Sequence, residues 1–216
     1  MIRILIADDH HLIRAGIKAL LERGGDISVV GEAADGQEAL EMIEKTMPDV
    51  VILDIGMPKL NGVQVARKIQ ERGLPTKVLI LTMYSDNTLV RQSLYYGVKG
   101  YLLKNSVSEE LLLAVRAVRR GEVYLSPSVS YIVLQDYLNN QKPEPENHPF
   151  DKLTTRETEV LQLIAEGHTN NSAAQLLGIT PKTVEKHRAN LMEKLNIHDT
   201  AGLVREAIKN KLVFLE

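Results

Sequence analysis

Five short runs of Val, Ile and Leu, each followed by a longer segment of helical period, fill the first 120 residues, and this alternation limits the available folds more than any other feature. The runs are IRILIA (2–7), ISVVGEA (27–33), VVILDI (50–55), KVLILT (77–82) and GYLL (100–103). Apolar residues three and four apart predict helices over about residues 10–22, 36–46, 61–71, 86–96 and 107–120. Strands apolar along their whole length are buried on both faces, which calls for a parallel sheet with helices on each side.

Right-handed crossovers then lead to an α/β, flavodoxin-like, doubly wound five-stranded sheet in the order 2-1-3-4-5. Beyond Gly121 the pattern changes. SPSVSYIVLQDYL predicts a linker helix beginning near Pro127, and NNQKPEPENHP, rich in Pro, Asn and Glu, reads as a flexible linker. LTTRETEVL opens with a capping box, Thr154 paired with Glu157, and further helices follow at about 170–177, 181–195 and 199–209. The expected division is therefore residues 1–122, a linker helix and flexible linker over 123–150, and an all-α four-helix domain over 151–216. A length of 216 residues with 44% hydrophobic and 25% charged side chains suits two globular domains. The absence of cysteine excludes disulfides and thiol chemistry. Two carboxylates interrupt the N-terminal apolar stretch before a signal peptide could form, and no apolar run reaches the roughly 20 residues of a membrane span. A cytoplasmic protein without a membrane partner is the expectation.

In an open parallel sheet, ligands bind outside the C-terminal strand ends, where the strand order reverses. That edge is predicted to carry Asp8 and Asp9 after the first strand, Asp54 after the third, Thr82 after the fourth and Lys104 after the fifth. Any one of these alone reads as a helix cap or turn residue. Together they describe a pocket. Crowded carboxylates need a cation, and hard oxygen donors suit Mg²⁺. A lysine supplies fixed positive charge for an anionic oxygen, and a threonine hydroxyl donates to another.

On LIADDH, VVILDIGMPKLNG, LILTMYS and GYLLK, residues 1 to about 122 resemble the receiver domain of two-component response regulators. The resemblance implies that Asp54 is the phosphoacceptor, attacking a phosphohistidine of a sensor histidine kinase. It implies that Asp9 binds Mg²⁺ directly, Asp8 through water, and the Gly56 carbonyl completes the set with Asp54. Lys104 would pair with a phosphoryl oxygen, Thr82 would swing toward the phosphate, and Tyr101 would turn inward behind it as a switch. Pro58 and Gly62 fit the loop after the acceptor. Met83 is bulkier than the Ala or Ser common after this threonine, and so narrows access to the phosphoryl group.

The C-terminal charge is local. The formal charge of the chain is −2, but residues 181–194 hold four cations against two acids. SAAQLLGITPKTVEKHRANLMEKL reads as helix, tight turn, helix: Gly178 ends one helix in the left-handed region, Thr180 caps the next and Pro181 fits its first position. Val184, Leu191 and Leu195 face the core, leaving a polar face suited to a major groove. A solvated cationic surface is the alternative reading of that face. With LTTRETEVL, GHTNNSAAQLLGIT and KTVEKHRANLMEKL, residues 153 to about 212 resemble the LuxR-type helix-turn-helix domain, and the whole chain resembles the NarL/FixJ subfamily. That implies double-stranded DNA as a partner, with an inverted-repeat operator read by a homodimer of the phosphorylated protein, and RNA polymerase as a further contact. Lys182, Thr183, Glu185, Lys186, Arg188, Asn190 and Lys194 are the candidate DNA-binding residues. Leu203, Val204, Ala207 and Ile208 of the last helix serve either dimerisation or the core. The supporting helix departs from many members, with Asn171, Ser172 and Ala173 in place of Lys-Glu-Ile.

Two other classes compete. A haloacid-dehalogenase-type phosphohydrolase also uses an Asp nucleophile, but requires a second acid two residues on, where this chain has Gly56. An enzyme is therefore not expected. A DNA-binding protein indifferent to phosphorylation would have no use for the acidic set together with Thr82 and Lys104.

Overall fold

The computed structural model describes residues 1–139 and 149–214, and the chain divides into two compact units, Met1–Lys142 and Pro143–Glu216. Most of the predicted flexible linker lies outside the described residues.

The first unit alternates strands and helices: β1 (Ile2–Ala7), α1 (His11–Glu22), β2 (Ile27–Ala33), α2 (Gly36–Thr46), β3 (Val50–Leu53), α3 (Gly62–Glu71), β4 (Lys77–Thr82), α4 (Asn87–Tyr95), β5 (Gly100–Leu103), α5 (Val107–Arg120), β6 (Tyr124–Leu125) and α6 (Pro127–Asn139). The sheet is parallel, in the order β2-β1-β3-β4-β5-β6. The expected parallel α/β order holds for the first five strands. The two-residue β6, too short to show any periodicity, extends the sheet at the β5 edge, where Gly100 pairs with Tyr124 and Tyr101 with Leu125. Every residue of β3 and β5 is buried, as is β1 from Ile4 onward, whereas edge strand β2 is buried only at its ends. Uninterrupted apolar sequence thus follows from central position in the sheet. Ile17 and Leu21 of α1 and Leu111, Ala114, Val115 and Val118 of α5 pack on one sheet face with Ile4, Ile6, Val50, Ile52, Leu79, Leu81 and Leu102. The expected linker helix, α6, packs within this unit against α4 and β6.

Among the described residues the second unit is helical: a 3₁₀ turn (Pro149–Lys152), then α7 (Thr155–Ala165), α8 (Asn170–Leu177), α9 (Pro181–Leu195) and α10 (Thr200–Lys209). Each α-helix has a hydroxyl or carboxylate N-cap: Thr154, Thr169, Thr180 and Asp199. Such a cap is worth about 1 kcal/mol relative to alanine. Gly178 ends α8 at φ 64° and Asn196 ends α9 at φ 54°, both left-handed, which turns the chain sharply at each point. Val160, Leu161 and Ile164 of α7, Ala173 and Ala174 of α8, Val184 and Leu191 of α9, and Leu203 and Ala207 of α10 form the core. Ala173 of α8 is fully buried in this core. Among the described residues no helix is long and apolar enough to cross a membrane.

Candidate functional site

Sheet register builds the site in the first unit. Ala7 of β1 pairs with Leu53 of β3, so the next residues, Asp8 and Asp54, leave the sheet side by side at the point where the strand order reverses. The Asp54 amide donates to the Ala7 carbonyl at 2.8 Å, fixing this juxtaposition. Thr82 at the end of β4 pairs with Leu103 of β5, and Lys104 follows directly.

Lys104 Nζ lies 2.7 Å from Asp8 Oδ2 and 2.9 Å from Asp54 Oδ2, bridging the two carboxylates. All three side chains are buried. Burial opposes the lysine charge, but Asp54 and Asp8 outweigh it and hold the ammonium above its ordinary range. Lys104 is therefore a fixed cation. Backbone amides set the remaining carboxylate oxygens: Ile55 N donates to Asp54 Oδ1 at 2.8 Å and His10 N to Asp8 Oδ1 at 2.9 Å. Arg14 Nη1 donates to the Asp8 carbonyl at 2.5 Å, anchoring the loop from α1.

Asp9 is half-buried beside them. One donor atom each from Asp8, Asp9, Asp54 and His10 lie within 4.8 Å of one another. Three carboxylates against one ammonium leave net negative charge in a confined space, and the oxygen-rich donor set fits a hard divalent cation. The loop after β3 closes tightly on Asp54. A Cβ on Gly62 would stand 2.2 Å from the Asp54 carbonyl oxygen, so only glycine fits there. Lys59, at φ 64°, ion-pairs with Asp35, the N-cap of α2, which ties that loop to the neighbouring helix.

Thr82 is fully buried, and its Oγ1 accepts from Tyr84 N at 3.4 Å. Tyr101 is also fully buried and donates its hydroxyl to the Tyr84 carbonyl at 2.8 Å. Burial, then the charges of Asp86 and Asp54, push the Tyr101 phenol well above its ordinary range. Tyr101 thus stands with its ring in the core and its hydroxyl on the loop before α4.

Two residues passed over in the sequence stand in the pocket. Tyr84 Cε2 would lie 3.6 Å from a Cβ built on Gly56, and Asp54 Oδ2 3.8 Å from the same point. Burial and the Asp54 charge push the Tyr84 phenol up. Met83, expected to narrow access, is 68% exposed. His10 is the other. Its place directly after the acidic pair was the available signal, whereas nothing local announces Tyr84.

In the second unit, α9 buries Val184 and Leu191, and Leu195 packs against the core from a partly exposed position. The opposite stripe exposes Lys182, Glu185, Lys186 and Ala189, with Thr183 and Asn190 half-buried on its flanks. Three of the seven expected DNA contacts are engaged within the domain, the first being Thr183, whose Oγ1 shares a 2.9 Å hydrogen bond with Thr180 Oγ1. Lys194 Nζ donates at 2.6 Å to Oε2 of buried Glu157, the oxygen that also accepts the Thr154 amide in the α7 capping box. Arg188 Nη2 donates to Thr200 Oγ1 at 2.6 Å, joining α9 to the start of α10. In α10, Leu203 and Ala207 belong to the core, and Val204 and Ile208 remain half-exposed.

An acidic pocket on a doubly wound parallel sheet, followed by a helix-turn-helix bundle, defines a phosphorylation-responsive class of regulator. The chain belongs to the two-component response regulators of the NarL/FixJ type: residues 4–116 match the response regulator receiver domain and residues 151–207 match the bacterial regulatory proteins of the luxR family. It is 42% identical over 214 residues to the oxygen regulatory protein NreC of Staphylococcus carnosus, covering 98% of this chain and 99% of that protein. The receiver domain of the putative response regulator NarL from Mycobacterium tuberculosis is 40% identical, covers 56% of this chain and 98% of its own, and superposes with a TM-score of 0.55. A structure of two RcsB dimers bound to two parallel DNAs is 26% identical, covers 95% of this chain and 97% of its own, and has a TM-score of 0.59.

Proposed function

We propose that Asp54 accepts a phosphoryl group from a sensor histidine kinase and that this event controls sequence-specific DNA binding through α9. In this assignment residues 1–122 are the receiver, 123–150 the linker helix and linker, and 151–216 the DNA-binding domain. The observation that carries the reading is the Lys104 ammonium held between Asp8 and Asp54 at the sheet's switch point. An Asp54 carboxylate oxygen forms the new O–P bond as the P–N bond to the kinase histidine breaks, and the imidazole leaves with the electron pair and takes up a proton. Lys104 then pairs with a phosphoryl oxygen, and Thr82 donates its hydroxyl to another. Asp8, Asp9, Asp54 and the Gly56 carbonyl would hold Mg²⁺, which when bound neutralises charge on the transferring group.

Thr82 and Tyr101 link the pocket to the surface. Both are tied to Tyr84, Thr82 by accepting its amide and Tyr101 by donating to its carbonyl, so a change at Thr82 is felt in the loop before α4. Lys182, Thr183, Glu185, Lys186 and Asn190 are the contacts proposed to enter the major groove, the lysines by charge and the others by base-edge hydrogen bonding. The dimeric, DNA-bound state described for RcsB supports the same arrangement here.

The test is operator affinity for wild type and Asp54→Asn, each with and without a phosphodonor. The donor should tighten wild-type binding by about 5- to 150-fold, the usual range of allosteric coupling, and leave the variant unchanged. Equal affinities in all four measurements would defeat the reading.

A further inference from the structure

The last helix of the first unit carries more apolar surface than that unit covers. In α6 (Pro127–Asn139) the only charged residue is Asp136. The helix packs on α4 and β6, fully burying Val129 and half-burying Ile132 and Val133. At 3.6 residues per turn Tyr131, Leu134 and Leu138 fall in one stripe on the side opposite Val129, where they are 65%, 59% and 65% exposed, with Tyr137 on the flank. A helix that is apolar all round is ordinarily covered all round. These four side chains expose on the order of 500 Å², the scale at which an apolar patch is commonly an interaction site.

The same helix is joined to the phosphorylation pocket. Tyr101, whose hydroxyl holds the Tyr84 carbonyl, pairs in the sheet with Leu125, and its own carbonyl accepts the amide of Ser126, the residue from which α6 starts. A shift of Tyr101 or of α4 therefore carries α6 with it. The stripe itself selects its occupant. Apolar residues three and four apart, with no charge among them, match a second copy of the same stripe in parallel two-fold pairing, where each residue meets its own counterpart. A nucleic acid or a charged peptide finds nothing there to pair with. Two stripes bring about 1,000 Å² together, near the lower limit of a specific interface and suited to a pair that forms on a signal rather than permanently. Parallel pairing also starts both connections to the second unit from one end. Residues 140–148 follow α6 in each copy, and an extended chain of that length reaches at most about 30 Å, so two of them can span the roughly 34 Å between adjacent half-sites. We propose that the α6 stripe is the surface through which two copies of this chain pair when Asp54 is phosphorylated. The proposal rests on the receiver reading above.

The test uses the full-length chain, sedimented with and without the phosphoryl mimic beryllofluoride, and disulfide trapping, for which the lack of native cysteine gives a clean background. Beryllofluoride should double the mass of wild type. Leu134→Glu changes an exposed position and sets two like charges against each other across the pair. It should weaken pairing tenfold or more while acetyl phosphate labels its Asp54 as in wild type. Leu134→Cys should cross-link to its own copy when oxidised with beryllofluoride, and Lys45→Cys, exposed on α2, should not. Doubling of Leu134→Glu to the same extent as wild type would overturn the proposal, and is what pairing through α10 alone, or a stripe covered by another protein, produces. Cross-linking of Leu134→Cys no greater than that of Lys45→Cys overturns it equally. If Asp54 is labelled but wild type gains no mass, the receiver reading stands without this proposal. If Asp54 takes no label, both fall together.

Discussion

At Gly56 the pocket has no side chain of its own, and the Tyr84 ring takes up the adjoining space, 3.6 Å from where a Cβ would be. On the proposed function, an acyl phosphate on Asp54 would be lost by in-line attack of water, which an aromatic ring this close would hinder. Tyr84→Ala should shorten the phosphoryl lifetime roughly tenfold, equivalent to about 1.4 kcal/mol of barrier. Decay of label on Asp54 after the phosphodonor is removed measures it, and an unchanged decay would show that the ring excludes nothing. The aspartates, Thr82 and Lys104 were legible in the sequence because their positions follow from strand ends, and strand ends follow from apolar runs. Tyr84 was not. Where a loop side chain settles depends on its neighbours across the sheet edge, and no spacing encodes that.

Helices show the same division one level up. The limits of α8 and α9 were readable because Thr169, Thr180, Gly178 and Pro181 carry their own conformational preferences. The two-residue β6 was not readable, since its pairing with Gly100 and Tyr101 comes from the partner strand. Nor was the role of Lys194: charge and position place it on a DNA-reading helix, and only the tertiary fold brings Glu157, 37 residues away, to its ammonium. Burial pushes the Glu157 carboxyl up, but the Lys194 bond and the Thr154 amide and hydroxyl prevail and hold it below its ordinary range. A depressed carboxylate pKa stabilises the fold above the unfolded value, about 4.3, and that contribution is lost as pH falls toward the folded value. Lys194→Met should therefore lower the stability of the second unit by about 1–2 kcal/mol at neutral pH, a modest figure because the lysine is partly exposed. It should also flatten the acid dependence below about pH 5. Exposed Lys186→Ala should change stability by less than about 0.5 kcal/mol while weakening DNA binding on every sequence. Hydrogen exchange of α7 and α9 amides in the full chain separates the two, and equal protection in both variants would remove Glu157–Lys194 as a structural pair.

For the whole molecule, charge argues for pairing. The chain is formally −2, and with Lys194 and Arg188 engaged internally, the exposed stripe of α9 offers Lys182 and Lys186 against Glu185. Each neutralised phosphate contributes a slope of about −0.9 to the salt dependence of binding, so one copy gains little from counterion release. Two copies on adjacent half-sites double that electrostatic contribution and add the avidity of linked sites. A surface for pairing is at hand: Leu203 and Ala207 are consumed by the core, whereas Val204 and Ile208 keep exposed area on α10. We therefore expect beryllofluoride, standing in for the phosphoryl group, to double the sedimenting mass of wild type and leave Asp54→Asn monomeric. The doubled species should prefer inverted half-sites about one helical turn apart, and inserting about half a turn between them should abolish the gain by placing the second recognition helix on the wrong side of the duplex. If mass stays constant while DNA affinity still rises, phosphorylation acts within one chain by freeing α9 from an inhibitory contact, and half-turn insertion then costs nothing. Spacing dependence and mass thus decide between the two routes from Asp54 to DNA.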